Sequence, residues 1–324
     1  MKKIFILWAA SAFIFSACAL NFHLDFLGKE TIEEVVLIKS RAKEKILVID
    51  VEGILSSLSS PGLFAREGDI LSQVYSRLEK ASEDVLIKGV IIRLDTPGGD
   101  VASSDILYNE IQKFKEKTGL PVVGLMMGIA ASGGYYVASA CDSIIAHPST
   151  ITGSIGVISI YPSLEGLLAK LGIQVNVVKS GEMKDSGSAF RNLTPEEKKV
   201  FKEIIDELYK NFLDVVYKNR KDFLSLEELR VLADGRIYTA QQALKFKLLD
   251  EIGYFDHALE KVLSLARLKE AKVIAYTYYP KRKTNIYATS LMRPSQEEKR
   301  SLENLLPSLK SGFYYLWLPE FQSE

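Results

Sequence analysis

Two short segments hold residues whose types suit acyl-transfer chemistry. Ala130-Ala131-Ser132-Gly133-Gly134-Tyr135-Tyr136 sets a serine on a turn of small residues, where backbone packs close and a substrate can approach. Further along, Ser180-Gly181-Glu182-Met183-Lys184-Asp185 sets a lysine on a glycine-bearing loop. A serine hydroxyl is a poor nucleophile until a neighbouring base takes its proton. Lysine serves as that base only when burial or nearby charge pulls its pKa toward neutrality. The pair reads as a Ser–Lys hydrolase dyad, with Ser132 as nucleophile and Lys184 as general base.

Ser132 lies where a strand gives way to a helix. Such turns expose a side chain and leave backbone N–H groups free to meet an oxyanion. The N–H of Gly133 is one donor. The Gly98-Gly99 turn offers a second, because glycine lets backbone approach closely. Each such donor is worth about 3 kcal/mol in well-studied acyl-transfer sites. The same spacing at 130–134 fits a tight helix-packing corner equally well. Ser154, in Thr152-Gly153-Ser154-Ile155-Gly156, either orients the lysine amine or caps a turn. The rival base is His147, since a histidine beside serine is the commoner hydrolase solution. It directly precedes Pro148 at a strand end, which favours a turn or packing role. His23 and His257 have no convincing neighbours.

These residues need a scaffold, and the chain alternates strand and helix patterns to supply one. Residues 45–51 (KILVIDV) and 88–94 (KGVIIRL) read as buried strands. Asp95–Asp100 breaks the second, and a helix follows with Leu107, Ile111 and Phe114 on its core face. A strand at 121–127 leads to the Ser132 turn and a helix to about Cys141. Further strands are expected at 143–146 and 155–160, around Thr152-Gly153-Ser154. Leu164, Leu167, Leu168 and Leu171 mark an amphipathic helix ended by Gly172, and a strand at 174–178 delivers the chain to the Lys184 loop. Thr194-Pro195-Glu196-Glu197 combines an N-cap, a first-turn proline and a capping-box glutamate. Val200, Ile204, Leu208 and Phe212 continue that helix on one face. Thr239-Ala240-Gln241-Gln242 is a second capping box, and a last amphipathic helix is expected near 255–268. Strands alternating with helices imply an α/β fold with mostly parallel pairing.

In order, the segments Asp95-Thr96-Pro97-Gly98-Gly99, Ala131-Ser132-Gly133-Gly134-Tyr135-Tyr136, Thr152-Gly153-Ser154-Ile155-Gly156-Val157 and Ser180-Gly181-Glu182-Met183-Lys184-Asp185 resemble the bacterial signal peptide peptidase A family, peptidase family S49. Leu193–Glu197 and Ala233–Tyr238 resemble it too, and the likeness covers roughly residues 45 to 280. It implies a ClpP/crotonase-like fold and a serine endopeptidase that degrades signal peptides after their release. Ser132 matches the family nucleophile, Lys184 its base and Ser154 the serine that hydrogen-bonds that base. Gly99 and Gly133 fall at the oxyanion hole. No cofactor is implied. Thr96 stands where the family more often has serine, and Phe246–Asp250 replaces a typical Gly-Leu-Val-Asp; neither touches the dyad. The length fits the short, single-repeat form, for which the resemblance implies a homo-oligomeric ring of about eight subunits, serine and lysine coming from neighbouring protomers.

Composition limits the alternatives. Lys+Arg and Asp+Glu are both 41 in 324 residues, so bulk electrostatics gives no hold on nucleic acid. Cys18 and Cys141 make no disulfide framework, and no Cys-x-x-Cys or His-Glu-x-x-His run supports a metal site. At the N-terminus, Lys2-Lys3, an apolar run from Ile4 to Phe15 and Ser16-Ala17-Cys18 form an export signal. Three readings stand, in this order: a lipoprotein signal with Cys18 lipidated, an uncleaved membrane anchor reaching Leu20, and a fully released protein. The first two place the catalytic domain on the extracytoplasmic side of a membrane, periplasmic in a two-membrane cell. The expected division is an export segment at 1–28, a peptidase domain at 29–280 and a tail at 281–324. The aromatic stretch Phe313–Pro319 suits assembly, membrane contact or substrate capture. Two rival classes remain: a crotonase-type binder of acyl-CoA using Gly98-Gly99, and a catalytically idle membrane scaffold.

Overall fold

β-Branched runs that alternate with amphipathic helices fold into a central sheet covered on both faces. The computed structural model describes residues 32–56, 70–278 and 313–317. Strands β1 (Ile32–Ile38) and β2 (Lys45–Glu52) precede helix α1 (Ile70–Glu83). Then come β3 (Ile87–Thr96), the short β4 (Gly98–Asp100), α2 (Val101–Thr118), β5 (Val122–Ala131) and α3 (Gly133–Ala138). Next are β6 (Ser143–Ala146), β7 (Ile151–Gly153), β8 (Ile158–Ser159), α4 (Glu165–Lys170) and a 3-10 turn at Glu182–Asp185. The long α5 (Pro195–Arg220), α6 (Leu226–Leu232), β9 (Ile237–Thr239), α7 (Ala240–Lys245), β10 (Glu251–Ile252) and α8 (Phe255–Leu265) follow. β11 (Lys272–Tyr278) returns to the sheet, and β12 (Phe313–Leu316) comes from the tail.

The main sheet runs β1-β11-β2-β3-β5-β6-β10, with β7 beside the end of β5 and β9 beside β7. Pairings from β11 through β10 are parallel, and antiparallel β1 closes one edge. Parallel strands covered on both faces read as continuous apolar runs, which is why β2 and β3 are buried almost throughout. One face carries Leu47, Ile49, Val90 and Ile92 against α1, α2, α3 and α5. The other carries Ile46, Val48, Ile91 and Val123 against α8. A second, three-stranded sheet has the order β4-β12-β8.

Helix signals in the sequence are realised closely. Leu107, Ile111 and Phe114 are buried on α2, and both expected capping boxes form, at Thr194/Glu197 and Thr239/Gln242. Several strand expectations are corrected. Residues 174–178 form no strand: Val175, Val177 and Val178 are exposed and no neighbouring strand pairs with them. β-Propensity yields a strand only where a partner edge exists. The expected strand at 155–160 shrinks to the two residues of β8, and the helix after Ser132 ends at Ala138. α4 forms where expected, but none of its residues is buried among the described residues. The export segment, including Cys18, lies outside the described residues. Among the described residues no helix is long and apolar enough to cross a membrane.

Candidate active site

Three strand ends converge to build the serine side of the site. β5 pairs with β7 in parallel, in the register Ala131↔Gly153. Ser132 and Ser154 are therefore the next residues out on adjacent strands, which lie about 4.8 Å apart in any sheet. Both leave the sheet with the same unusual backbone: φ is 54° at Ser132 and 50° at Ser154. Left-handed backbone at a residue with a side chain costs of order 1–3 kcal/mol and persists where surrounding bonds hold it. Here they do. The Ser132 N–H donates to Gly153 O at 2.7 Å, and the Ser154 N–H to Arg236 O at 2.7 Å. Ser132 then opens α3, its carbonyl accepting from the Tyr136 N–H at 2.9 Å. Ser132 is 1% exposed, so a substrate reaches it only through a shaped groove.

The glycine donors are positioned by what their missing side chains allow. A Cβ on Gly99 would sit 1.8 Å from Leu55 O, and one on Gly133 would sit 2.4 Å from Ser104 Oγ. Leu55 N–H donates to Gly98 O and Asp100 N–H to Leu55 O, both at 2.8 Å. Backbone groups of successive strand residues point to opposite sides, so the Gly99 N–H faces away from Leu55, toward the side on which β12 pairs. Sequence reasoning missed two supports of this turn. Thr96 Oγ1 accepts from the Gly98 N–H at 3.0 Å, and Asp100 caps α2 through the Ser103 N–H at 2.7 Å. An aspartate just before a helix is a legible N-cap signal.

Lys184 stands elsewhere. It lies on the 3-10 turn, exposed, and among the described residues no hydrogen bond or ion pair engages its amine. Residues 163–184 are exposed almost throughout, so this arm projects from the body. Only its base is fastened. Arg191 donates to Asp185 Oδ2 at 2.9 Å and to Glu197 Oε2 at 2.9 Å, while Lys179 pairs with Asp185 at 2.9 Å. Arg191 and Lys179 together hold the Asp185 carboxyl well below its usual range. Arg191 likewise holds Glu197 down at about 2. Nothing in the sequence marked Arg191. Within one chain, then, Ser132, Ser154, Gly99 and Gly133 are brought together and Lys184 is not joined to them by any bond among the described residues. His147 is also apart: its Nδ1 accepts from the Ser149 N–H at 3.2 Å and its ring packs edge-on to Tyr254 at 4.9 Å. Burial pushes the Cys141 thiol up to about 12, which makes it an inert core residue. Among the described residues no group of three or more His, Cys, Asp or Glu could hold a metal ion.

The tail completes the picture. β12 lies antiparallel between β4 and β8, in the registers Tyr315↔Gly99 and Tyr314↔Ile158. It thus runs along the groove that leads past Gly99.

A buried serine with positive φ at a strand-to-helix turn, close to Gly99 and Gly133 on a parallel-rich sheet, fits the ClpP/crotonase-like fold. The profile of peptidase family S49 matches residues 114–269. A protein of Enterococcus faecium provisionally named signal peptide peptidase SppA is 36% identical over 78% of this chain and 72% of its own. A provisionally named protease of Synechocystis is 36% identical over 72% and 79%. Protease 4 of Haemophilus influenzae is 35% identical over 70% of this chain and 35% of that longer one. The chain belongs to peptidase family S49 and is a protease. The acyl-CoA reading gives way to that membership.

Proposed function

We propose that the protein is a membrane-associated serine endopeptidase in which Ser132 and Lys184 form a dyad across a subunit boundary. Its substrates are released signal peptides and other apolar peptides. The observation that carries this reading is the backbone of Ser132, buried and left-handed at the end of β5, beside Gly133 and in register with Ser154. The relative named signal peptide peptidase SppA supports the substrate class. The export segment keeps the catalytic domain near the membrane on its extracytoplasmic side.

In the reaction the neutral Lys184 amine, brought in by a neighbouring copy and oriented by Ser154, takes the Ser132 Oγ proton. Oγ bonds to the scissile carbonyl carbon, and the Gly99 and Gly133 N–H groups hold the oxyanion. The C–N bond breaks as the lysine returns the proton to the leaving amine. Water, deprotonated by the same lysine, then cleaves the ester and frees Ser132. A ring of about eight subunits supplies every serine with a partner's lysine. Its assembly surface is the exposed arm, whose Leu167, Leu171, Ile173, Val177 and Val178 are exposed among the described residues.

The test is turnover of a quenched apolar peptide by the full chain beside Ser132→Ala, Lys184→Ala and His147→Ala. The first two are expected to lose on the order of 1,000-fold or more, and His147→Ala to keep its rate. Normal turnover by Lys184→Ala with loss in His147→Ala would replace the dyad by a Ser–His site.

A further inference from the structure

The two glycine turns of the site press against each other. A Cβ on Gly98 would lie 2.7 Å from the Gly133 nitrogen, and one on Gly133 would lie 3.1 Å from Gly98 Cα. An oxyanion hole works only while its donors keep the right separation, since each is aimed at one developing charge. Glycines bring no side chains to hold that separation. Their neighbours have to hold it for them.

Two hydroxyl residues, both 0% exposed, bridge the turns. Thr96 ends β3, paired with Ala130 of β5, two residues before Ser132. Its Oγ1 accepts from the Gly98 N–H at 3.0 Å and donates to Gly98 O at 3.4 Å. Its methyl meets the other turn: a Cβ on Gly134 would lie 2.8 Å from Thr96 Cγ2. Ser104, in the first turn of α2, repeats this arrangement. Its Oγ donates to Asp100 O at 3.0 Å, and a Cβ on Gly133 would lie 2.4 Å from that same Oγ. Each residue thus bonds to the backbone of 98–100 and abuts 133–134. Thr96 also decides which N–H the first turn offers. Gly98 N–H is taken by Oγ1 and Asp100 N–H by Leu55 O, and Gly99 N–H lies between them.

We propose that Thr96 and Ser104 are positioning residues that set the separation of the two oxyanion donors, Thr96 acting through Gly98 and Ser104 through Gly133. This rests on the reading of Gly99 and Gly133 as those donors and Ser132 as the nucleophile. The hydroxyl carries most of the effect at residue 96. Without it the buried Gly98 N–H has no acceptor and turns to find one, and Gly99 turns with it. At residue 104 the Oγ is the stop against which Gly133 rests.

The probes are N-acetylated Leu-Leu-Leu as its C-terminal aldehyde and as the matching alcohol. Ser132 Oγ adds to the aldehyde carbon, its proton passes to the base, and the carbonyl oxygen becomes an oxyanion; the alcohol forms none. The ratio of the two inhibition constants therefore reads the oxyanion hole apart from peptide binding. It is measured on the full chain and on full-length Thr96→Val, Thr96→Ser and Ser104→Ala, beside kcat, KM and melting temperature. Thr96→Val keeps the shape and loses the acceptor, so kcat and the aldehyde preference should both fall on the order of 30-fold, with KM held within about twofold. Ser104→Ala should lower both about tenfold. Thr96→Ser keeps Oγ and should stay within about threefold of the unaltered protein. A full aldehyde preference in Thr96→Val and Ser104→Ala, whatever their melting temperatures, would overturn the proposal and leave the oxyanion reading standing. Equal binding of aldehyde and alcohol by the unaltered chain would overturn that reading, and the proposal with it.

Discussion

The proposed nucleophile, Ser132, and its proposed base, Lys184, sit in opposite physical settings. Ser132 is 1% exposed and Ser154 8%, both at the ends of paired strands, with Gly98 and Gly99 held against Leu55 and Gly133 packed beside Ser104. Lys184 rides an arm that buries almost nothing, from α4 to the 3-10 turn, and the ties among the described residues gather at its two ends, Leu164 and Glu165 at one and Asp185 at the other. Packing among the described residues encloses Ser132 and leaves Lys184 exposed. A lysine amine in open water is protonated and accepts nothing, whereas one lowered into an apolar cleft can act as a base. The contrast supports the proposed reading, in which another copy of the chain supplies the arm's environment.

The largest expected effect breaks or keeps that lesson outright. Ser132→Ala and Lys184→Ala are each inactive, but mixing them under subunit exchange pairs intact serines with intact lysines. Random assembly from equal amounts restores about one quarter of normal turnover if the dyad crosses the subunit boundary. An intrachain dyad restores nothing, whatever the ratio. Peptide turnover against mixing ratio reads the difference.

The same contrast explains what the sequence disclosed. Ser132, Ser154, Gly99 and Gly133 were legible because buried strand ends impose their own residue types: small residues where backbones meet, glycine where a Cβ would collide. Capping boxes at Thr194 and Thr239 were legible because caps are local chemistry. The arm was misread. Val175, Val177 and Val178 carry strand propensity, yet a strand needs an edge, and among the described residues none pairs with them. Leu164, Leu167 and Leu171 gave the right helix on α4 without the burial their spacing implied. Periodicity reports that a face wants cover, not whose surface provides it. Arg191 bridges partners six residues to either side across an irregular loop, which no helix or strand period announces, and the docking of β12 depends on contacts remote in sequence.

A matched pair of substitutions sharpens the comparison. Gly99→Ala drives a methyl to 1.8 Å from Leu55 O, so β4 must shift and one oxyanion donor is lost. Turnover should fall on the order of 100-fold, with a lower melting temperature. Val178→Asp alters a side chain that is wholly exposed. The melting temperature of dissociated subunits should hold, while assembly by sedimentation and turnover both decline. A melting temperature that fell equally in both variants would erase the distinction between the two regions.

Acid tests the fastening of the arm. Arg191 holds the Glu197 carboxyl at about 2, below its ordinary 4.5. A depressed carboxylate pKa adds stability that is fully present above the unfolded value and is lost as pH falls through the folded one. Urea midpoints should therefore decline between about pH 4.5 and 2. In Arg191→Gln the depression disappears, so midpoints start lower at neutral pH and flatten across that window. An unchanged slope in the variant would assign the acid sensitivity to other carboxylates.

The smallest effect asks whether the fastening matters beyond stability. Thr194 caps α5, accepting from the Glu197 N–H at 3.2 Å, while Glu197 Oε2 accepts from both the Thr194 N–H and Arg191. Thr194→Ala removes only the hydroxyl and should cost about 1 kcal/mol, typical of a lost N-cap. For a domain of this size that lowers the melting temperature by roughly 2–4 °C. The Arg191 pairs survive the change, so the lysine arm keeps its anchor and turnover at 25 °C should stay unchanged. A tenfold fall in turnover with that small thermal shift would mean that the start of α5 sets where Lys184 lands, and that the arm is aimed from its base rather than placed by the surface it docks on.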